Sequence, residues 1–364
     1  MYKIFLYVIV LIVLMPNCST GQVEDTPNPS GLTINLNHLS GFIYEHSEKM
    51  AHLTDQYPTA FELDINKQTY GNRPWQQLYN FPQFGVSVHY FNMDSEKPLG
   101  DMISITPYFN PILYRSSGLI VSYRIGLGGS YISRGFHPES NPDNVLISSR
   151  LNFSLYGNIN IRKYLFKNLH VNAGVSLIHY SNGSFKTPNL GINIPAIHVG
   201  LGYGQQPQKS FHEDDMSAHE RTYYFNLISN FGIKEYRTPG GDKFLNMSGC
   251  MFVSRTLNHK SSITAGLDLF YNGTYILLAN NPDPDDLVYQ LTSGITVGHE
   301  LTVARLSMLT QMGIYIYDPL TPTPPVYQRY YLRYFFTSNL NIGVGLKTHY
   351  GYADFVEWGL GIRL

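Results

Sequence analysis

Along Ser117–Tyr131 the side chains change kind at almost every step. Leu119, Val121, Tyr123, Ile125, Leu127 and Tyr131 hold odd positions, while Gly118, Ile120, Ser122, Arg124, Gly126, Gly128 and Ser130 hold even ones. Period two means a strand with one apolar face and one small or polar face. The division recurs. Ile263, Ala265, Leu267, Leu269 and Tyr271 oppose Thr264, Gly266 and Asp268, and Ile342, Val344 and Leu346 oppose Asn341, Gly343, Gly345 and Lys347. The final stretch sets Val356, Trp358, Leu360, Ile362 and Leu364 against Glu357, Gly359, Gly361 and Arg363.

A soluble β-sandwich also alternates, with its polar face in water. Two features favour a membrane barrel. The alternating runs reach ten residues or more, beyond the usual soluble strand of about five or six. The chain also ends on such a run, with glycines and charges gathered on one face and aromatics near the strand ends. Links sort by length as well. Short ones near Phe166-Lys167, Asn258-His259 and Asn339 alternate with longer ones at Arg134–Val145, Asn182–Gly191, Tyr236–Phe244, Ala279–Leu287 and Asp318–Pro325. Gln205–His219 breaks that rule, as a long polar link where a short turn is due. The expectation is an all-β, antiparallel transmembrane barrel of about 14 strands, within roughly 12–16.

Composition agrees. Only 14% of the 364 residues are charged, against about 25% in soluble domains. Net charge is −1, which gives no electrostatic case for nucleic acid. Lys3, the apolar run Ile4–Met15 and the small residues Cys18–Gly21 read as a signal peptide. Residues 1–21 are therefore expected to be removed, leaving 22–364 as one barrel domain exported to the outer membrane. Pro16-Asn17 fits poorly with lipoprotein processing at Cys18. Cys250 is then the remaining cysteine, without a disulfide framework.

The candidate chemistry lies in HYSNGSFKTPNLGIN, His179–Asn193. In Val171–Ser181, His179 and Ser181 share parity with Val171, Val175 and Leu177. On the returning strand Asn193 shares parity with Pro195, Ile197, Val199 and Leu201. All three polar residues thus fall on the apolar, lipid-facing side, where polar groups are costly without partners. Same-face residues two apart lie about 6.5–7 Å apart at Cα. His179 can act as base for a Ser181 nucleophile, Asn193 can hold the other imidazole nitrogen, and Asn182 and Asn189 can donate to an oxyanion. The plain alternative is a set of interface residues and turn-forming asparagines.

His179-Tyr180-Ser181-Asn182 resembles the H-x-S-N motif of the outer-membrane lipid A deacylases and the longer acyloxyacyl hydrolases, and Asn189 falls at that family's second asparagine. Gly41–Ser47, Tyr70–Trp75, Asn141–Leu151 and Lys347–Leu364 also resemble blocks of the long members. The resemblance implies ester hydrolysis on lipid A in the outer leaflet, with Ser181 as nucleophile and His179 as base. It implies lipopolysaccharide as partner; no cofactor and no metal are expected, since the chain shows no phosphate-cradling Gly loop, no C-x-x-C and no Rossmann pattern. One departure stands out: short members carry glutamate where this chain has Asn193. An amide can orient an imidazole but cannot neutralise its cation, and in a serine protease triad Asp→Asn costs about 10⁴ in rate. Glu357 is a poor substitute, because its parity faces the lumen.

Other candidates are weaker. His46-Ser47 is a second His-Ser pair, but neighbours in a strand face opposite sides, so a loop-edge role is expected. Asn281–Asp286 and His212–Asp215 with His219 read as polar loops rather than metal sites. Lumen-side Arg124, Lys347, Glu357 and Arg363 leave open a non-enzymatic barrel, either a channel or a structural protein.

Overall fold

The computed structural model describes residues 31–93, 98–204, 219–235, 238–277, 287–320 and 325–364. The signal segment with Cys18, the Asn281–Asp286 loop and the His212–Asp215 cluster lie outside the described residues. The chain forms two compact units divided after Asp215, with Gly183–Thr187 grouped with the second.

In the first unit the strands are β1 (Leu32–Gly41), β2 (Thr59–Gln68), β3 (Gln83–Asn92), β4 (Met102–Asn110), β5 (Ile112–Ser116), β6 (Leu119–Ile132), β7 (Leu151–Tyr164), β8 (Leu169–Ser181) and β9 (Ile192–Tyr203). Neighbours pair antiparallel, β1 pairs with β9, and β4 pairs with β6 from Met102↔Ile132 onward. Those contacts close a ring of eight strands, with short β5 beside β6. The second unit runs β10 (Tyr223–Glu235), β11 (Lys243–Thr256), β12 (Ser261–Asn272), β13 (Leu291–Val303), β14 (Leu306–Tyr317), β15 (Val326–Phe335), β16 (Leu340–His349) and β17 (Tyr352–Arg363). These eight close into a second barrel through β10–β17.

The expected all-β barrel architecture is present, but the single ring of about 14 strands spanning 22–364 is corrected to two rings of eight. Alternation reports which face of a strand is apolar; it does not report ring size. Ring size follows from what the interior must hold, and an eight-stranded barrel is just wide enough to be filled by side chains. The unit boundary lies within the Gln205–His219 link that broke the length pattern.

Both barrels are inside-out relative to a soluble protein. On β1, Leu32, Ile34 and Leu36 are exposed while Asn35 and Asn37 are buried; on β2, Phe61, Leu63 and Ile65 are exposed while Glu62 and Asp64 are buried. Such an apolar outer wall suits lipid. In the first lumen Arg124 reaches Glu62 (2.8 Å) and Asp64 (3.1 Å) and stacks over the Tyr108 ring at 3.8 Å. In the second, Arg329 bridges Asp268 (2.9 Å) and Glu357 (2.8 Å), Arg333 and Arg363 share Glu300, and Lys347 binds Asp354. A Cβ on Gly343 or Gly345 would collide with the Tyr331 ring, so those glycines admit a ring that fills the lumen. The charges suspected of lining a pore are thus paired, with Arg124, Lys347 and Glu357 buried and Arg363 partly so.

One end of the first barrel differs. Leu39, Ile43, Phe91, Leu146, Ile147, Ile178, Tyr180, Ile192 and Ile194 join one buried apolar cluster, which plugs the lumen where β8 and β9 meet their loop.

Candidate active site

Alternation along β8 places the predicted pair. Ile178 and Tyr180 are fully buried in the plug, so His179 and Ser181, between and beyond them, project from the outer wall, each partly exposed. On β9, Ile192 and Ile194 are buried and Asn193 faces out. The register pairs His179 directly with Asn193, and Asn193 Oδ1 lies 2.7 Å from His179 Nδ1. The carbonyl oxygen can only accept, so His179 donates from Nδ1 and its Nε2 is a free base. Ser181 follows two residues along the same face, opposite Phe153 on β7. Among the described residues no hydrogen bond engages the Ser181 hydroxyl. In a resting site such a contact commonly tightens only around substrate.

Gly191, at φ +81°, completes the imidazole's seat. A Cβ there would stand 2.8 Å from His179 Cε1 and 3.3 Å from the Tyr180 carbonyl oxygen. Only glycine suits both the backbone angle and the space. Gly191 is pinned by its N–H to the Leu146 carbonyl, 2.9 Å. Leu146 belongs to the β6–β7 loop, which Asn144 organises: its Oδ1 accepts from the Leu146 and Ile147 amides, and its Nδ2 donates to the Arg134 and Pro98 carbonyls.

The two predicted oxyanion residues differ in placement. Asn182 turns inward, its backbone N–H donating to Asn189 Oδ1 at 3.0 Å and its side chain reaching Ser148 Oγ at 3.4 Å. With Oδ1 committed to Asn182, the Asn189 Nδ2 is the donor that remains at the loop surface.

Sequence analysis expected only a loop-edge role for His46; the structure puts it in the loop beyond β1 and beside Asn193. Strand β1 ends at Gly41, but pairing with β9 continues in the loop: Phe42 N–H donates to Pro195 O (3.2 Å) and Tyr44 N–H to Asn193 O (2.9 Å). That extension brings His46 to Asn193, with 3.3 Å between Asn193 Nδ2 and His46 Nδ1. The strand-parity argument did not apply, because His46 and Ser47 lie beyond the strand. The Gly41–Ser47 resemblance block was the signal that could have found it. Ser47 stays apart, its carbonyl accepting from Met50. His219 also lies elsewhere, against Thr256 at 3.1 Å. Among the described residues no group of three or more His, Cys, Asp or Glu is arranged to hold a metal. Cys250 is a buried free thiol.

Apolar residues surround the cluster. Leu155, the other cross-strand neighbour of His179, is half exposed on the outer wall, as are Val175 and Leu177. Polar groups able to attack an ester therefore border a surface able to receive acyl chains.

Comparison with known proteins gives the following likenesses. The crystal structure of the outer membrane enzyme PagL is similar at 18% identity and a TM-score of 0.33, covering 46% of this chain and 97% of that one. Neisserial surface protein A follows at 13% identity and 0.32, covering 48% and 97%. A mutant of the Rh. blastica porin covers 92% of this chain and 99% of its own at 10% identity and 0.20. A comparison with curated protein sequences finds no match. Residues 59–202, which contain His179, Ser181 and Asn193, match the family described as lipid A 3-O-deacylase (PagL), and residues 222–364 match the acyloxyacyl hydrolase C-terminal domain. With most of its length taken up by these two matches, the chain belongs to the lipid A deacylase and acyloxyacyl hydrolase family.

Proposed function

We propose that the protein is an outer-membrane serine esterase that removes an ester-linked acyl chain from lipid A at the outer leaflet. The carrying observation is the His179–Asn193 hydrogen bond on the outer wall of the first barrel, which leaves His179 Nε2 free on the face shared with Ser181. A water-soluble substrate would not need a nucleophile on that face; an acylated lipid does. Family membership supports the same substrate class.

The chemistry follows from the placement. The acyl chain lies along Leu155, Leu177 and Val175, which brings the ester to the strand ends. Ser181 Oγ attacks the carbonyl carbon as His179 Nε2 takes its proton. Negative charge develops on the former carbonyl oxygen, where Asn189 Nδ2 donates. The intermediate collapses, His179 returns the proton to the leaving sugar oxygen, and water then hydrolyses the acyl-serine by the same route. Asn182 holds Asn189 rather than contacting the oxyanion itself.

Mass spectrometry of lipid A from cells producing wild type or Ser181→Ala tests this. Loss of one acyl chain is expected in wild type only. An unchanged acyl pattern with correctly inserted wild-type protein contradicts it.

A further inference from the structure

Asn193 is the weak point of the site, because an amide is two-sided. With Oδ1 toward His179, the imidazole donates from Nδ1 and keeps Nε2 as base. With Nδ2 toward His179, Nδ1 must accept, the proton moves to Nε2, and the base is lost. A carboxylate at this position has no such ambiguity. Something must set which way the Asn193 amide faces.

Beyond Asn193 lies His46. Its Nε2 is 3.0 Å from the Leu190 carbonyl oxygen, which can only accept. Its Nδ1 has two neighbours, Asn193 Nδ2 at 3.3 Å and the Tyr44 carbonyl oxygen at 3.2 Å. In the neutral ring, a proton on Nε2 makes the shorter bond to Leu190 and leaves Nδ1 to accept from Asn193; only Tyr44 O is then mismatched. A proton on Nδ1 satisfies Tyr44 but sets the bare Nε2 against the Leu190 oxygen and a donor against the Asn193 amide. The first tautomer carries fewer conflicts.

We infer that His46 is a positioning residue of the hydrolytic site: its Nδ1 accepts from Asn193 Nδ2 and thereby locks the amide with Oδ1 on His179. The inference rests on the esterase reading above. The order runs from the fixed backbone acceptor outward: Leu190 O sets the His46 proton, His46 sets the Asn193 amide, and Asn193 sets the His179 tautomer. Backbone pairing of Phe42 and Tyr44 with β9 holds His46 in register for this task. His46 thus supplies the orientation that a carboxylate would have provided unaided, and this chain keeps its asparagine.

Two conservative variants separate this role from a merely structural one. His46→Asn places an acceptor near the Nδ1 position, whereas His46→Gln places its acceptor near Nε2. Full-length protein is assayed on lipid A for kcat and KM, with the rate of covalent labelling by a fluorophosphonate as second readout. His46→Asn is expected to stay within about twofold of wild type, and His46→Gln to lose about tenfold in kcat at unchanged KM, the weight of one neutral hydrogen bond. In an Asn193→Asp background the two are expected to be equal, because a carboxylate has no wrong face. Equal rates for the two variants in the Asn193 background, or the same difference in both backgrounds, would overturn the inference while leaving the esterase reading intact. A wild type that neither deacylates nor labels removes that reading and the inference with it.

Discussion

At the residue scale, the site is a short chain of polar groups with no carboxylate among its hydrogen-bonded members. The penalty of about 10⁴ for an amide in a protease triad includes the cost of a wrong tautomer. Here the tautomer is fixed by a bonded Asn193, so only the missing charge remains to be recovered. Asn193→Asp is therefore expected to raise kcat by about tenfold rather than by the full protease factor, as measured by initial rates on lipid A. An unchanged or lower rate would show that charge does not limit the reaction. Gly191→Ala should act oppositely, because its methyl needs space already filled by the imidazole. A loss of about 10²-fold in kcat with near-normal thermal stability is expected from such a misplacement. The pair His179 and Ser181, and their outward parity, were legible in sequence because period two fixes a face. His46 was not, because the loop pairing that delivers it leaves no periodic trace.

At the element scale, three loops and the facing ends of β8 and β9 make the site. The β6–β7 loop carries Leu146, whose carbonyl anchors Gly191, and Asn144 gives that loop four hydrogen bonds. Asn144→Ala is expected to cost about 3 kcal/mol and to lower kcat through a displaced Gly191, read by thermal melting alongside initial rates. A stability loss with unchanged kcat would mean that this loop does not position the imidazole. Strand existence and facing were legible because long runs such as Val171–Ser181 carry many periods. Loop function was not, since Asn144 and Asn182 look in sequence like ordinary turn asparagines, and only tertiary contact shows that both point inward.

At the scale of the whole molecule, each barrel is filled. Arg124 is held by Glu62 and Asp64, and Arg329 by Asp268 and Glu357, all almost wholly buried. Removing one member strands the others, so Arg124→Ala is expected to destabilise the first barrel by about 3–5 kcal/mol; heat-dependent gel migration reports it. The same packing bears on the channel alternative, since planar-bilayer recordings are expected to show no stable open conductance. A steady open channel insensitive to Ser181→Ala would favour that alternative. Ring number was the feature the sequence hid. Strands on one ring or two alternate alike, and only the bulk of lumen residues such as Tyr331, Arg329 and Phe270 hints at narrow interiors.

Identification of the residue modified when the intact membrane-embedded protein meets a fluorophosphonate bears most directly on the outward-facing pair. The account predicts a single adduct on the peptide containing Ser181, absent from His179→Ala. An adduct at another residue, or labelling of Ser181 that proceeds equally well without His179, would contradict it.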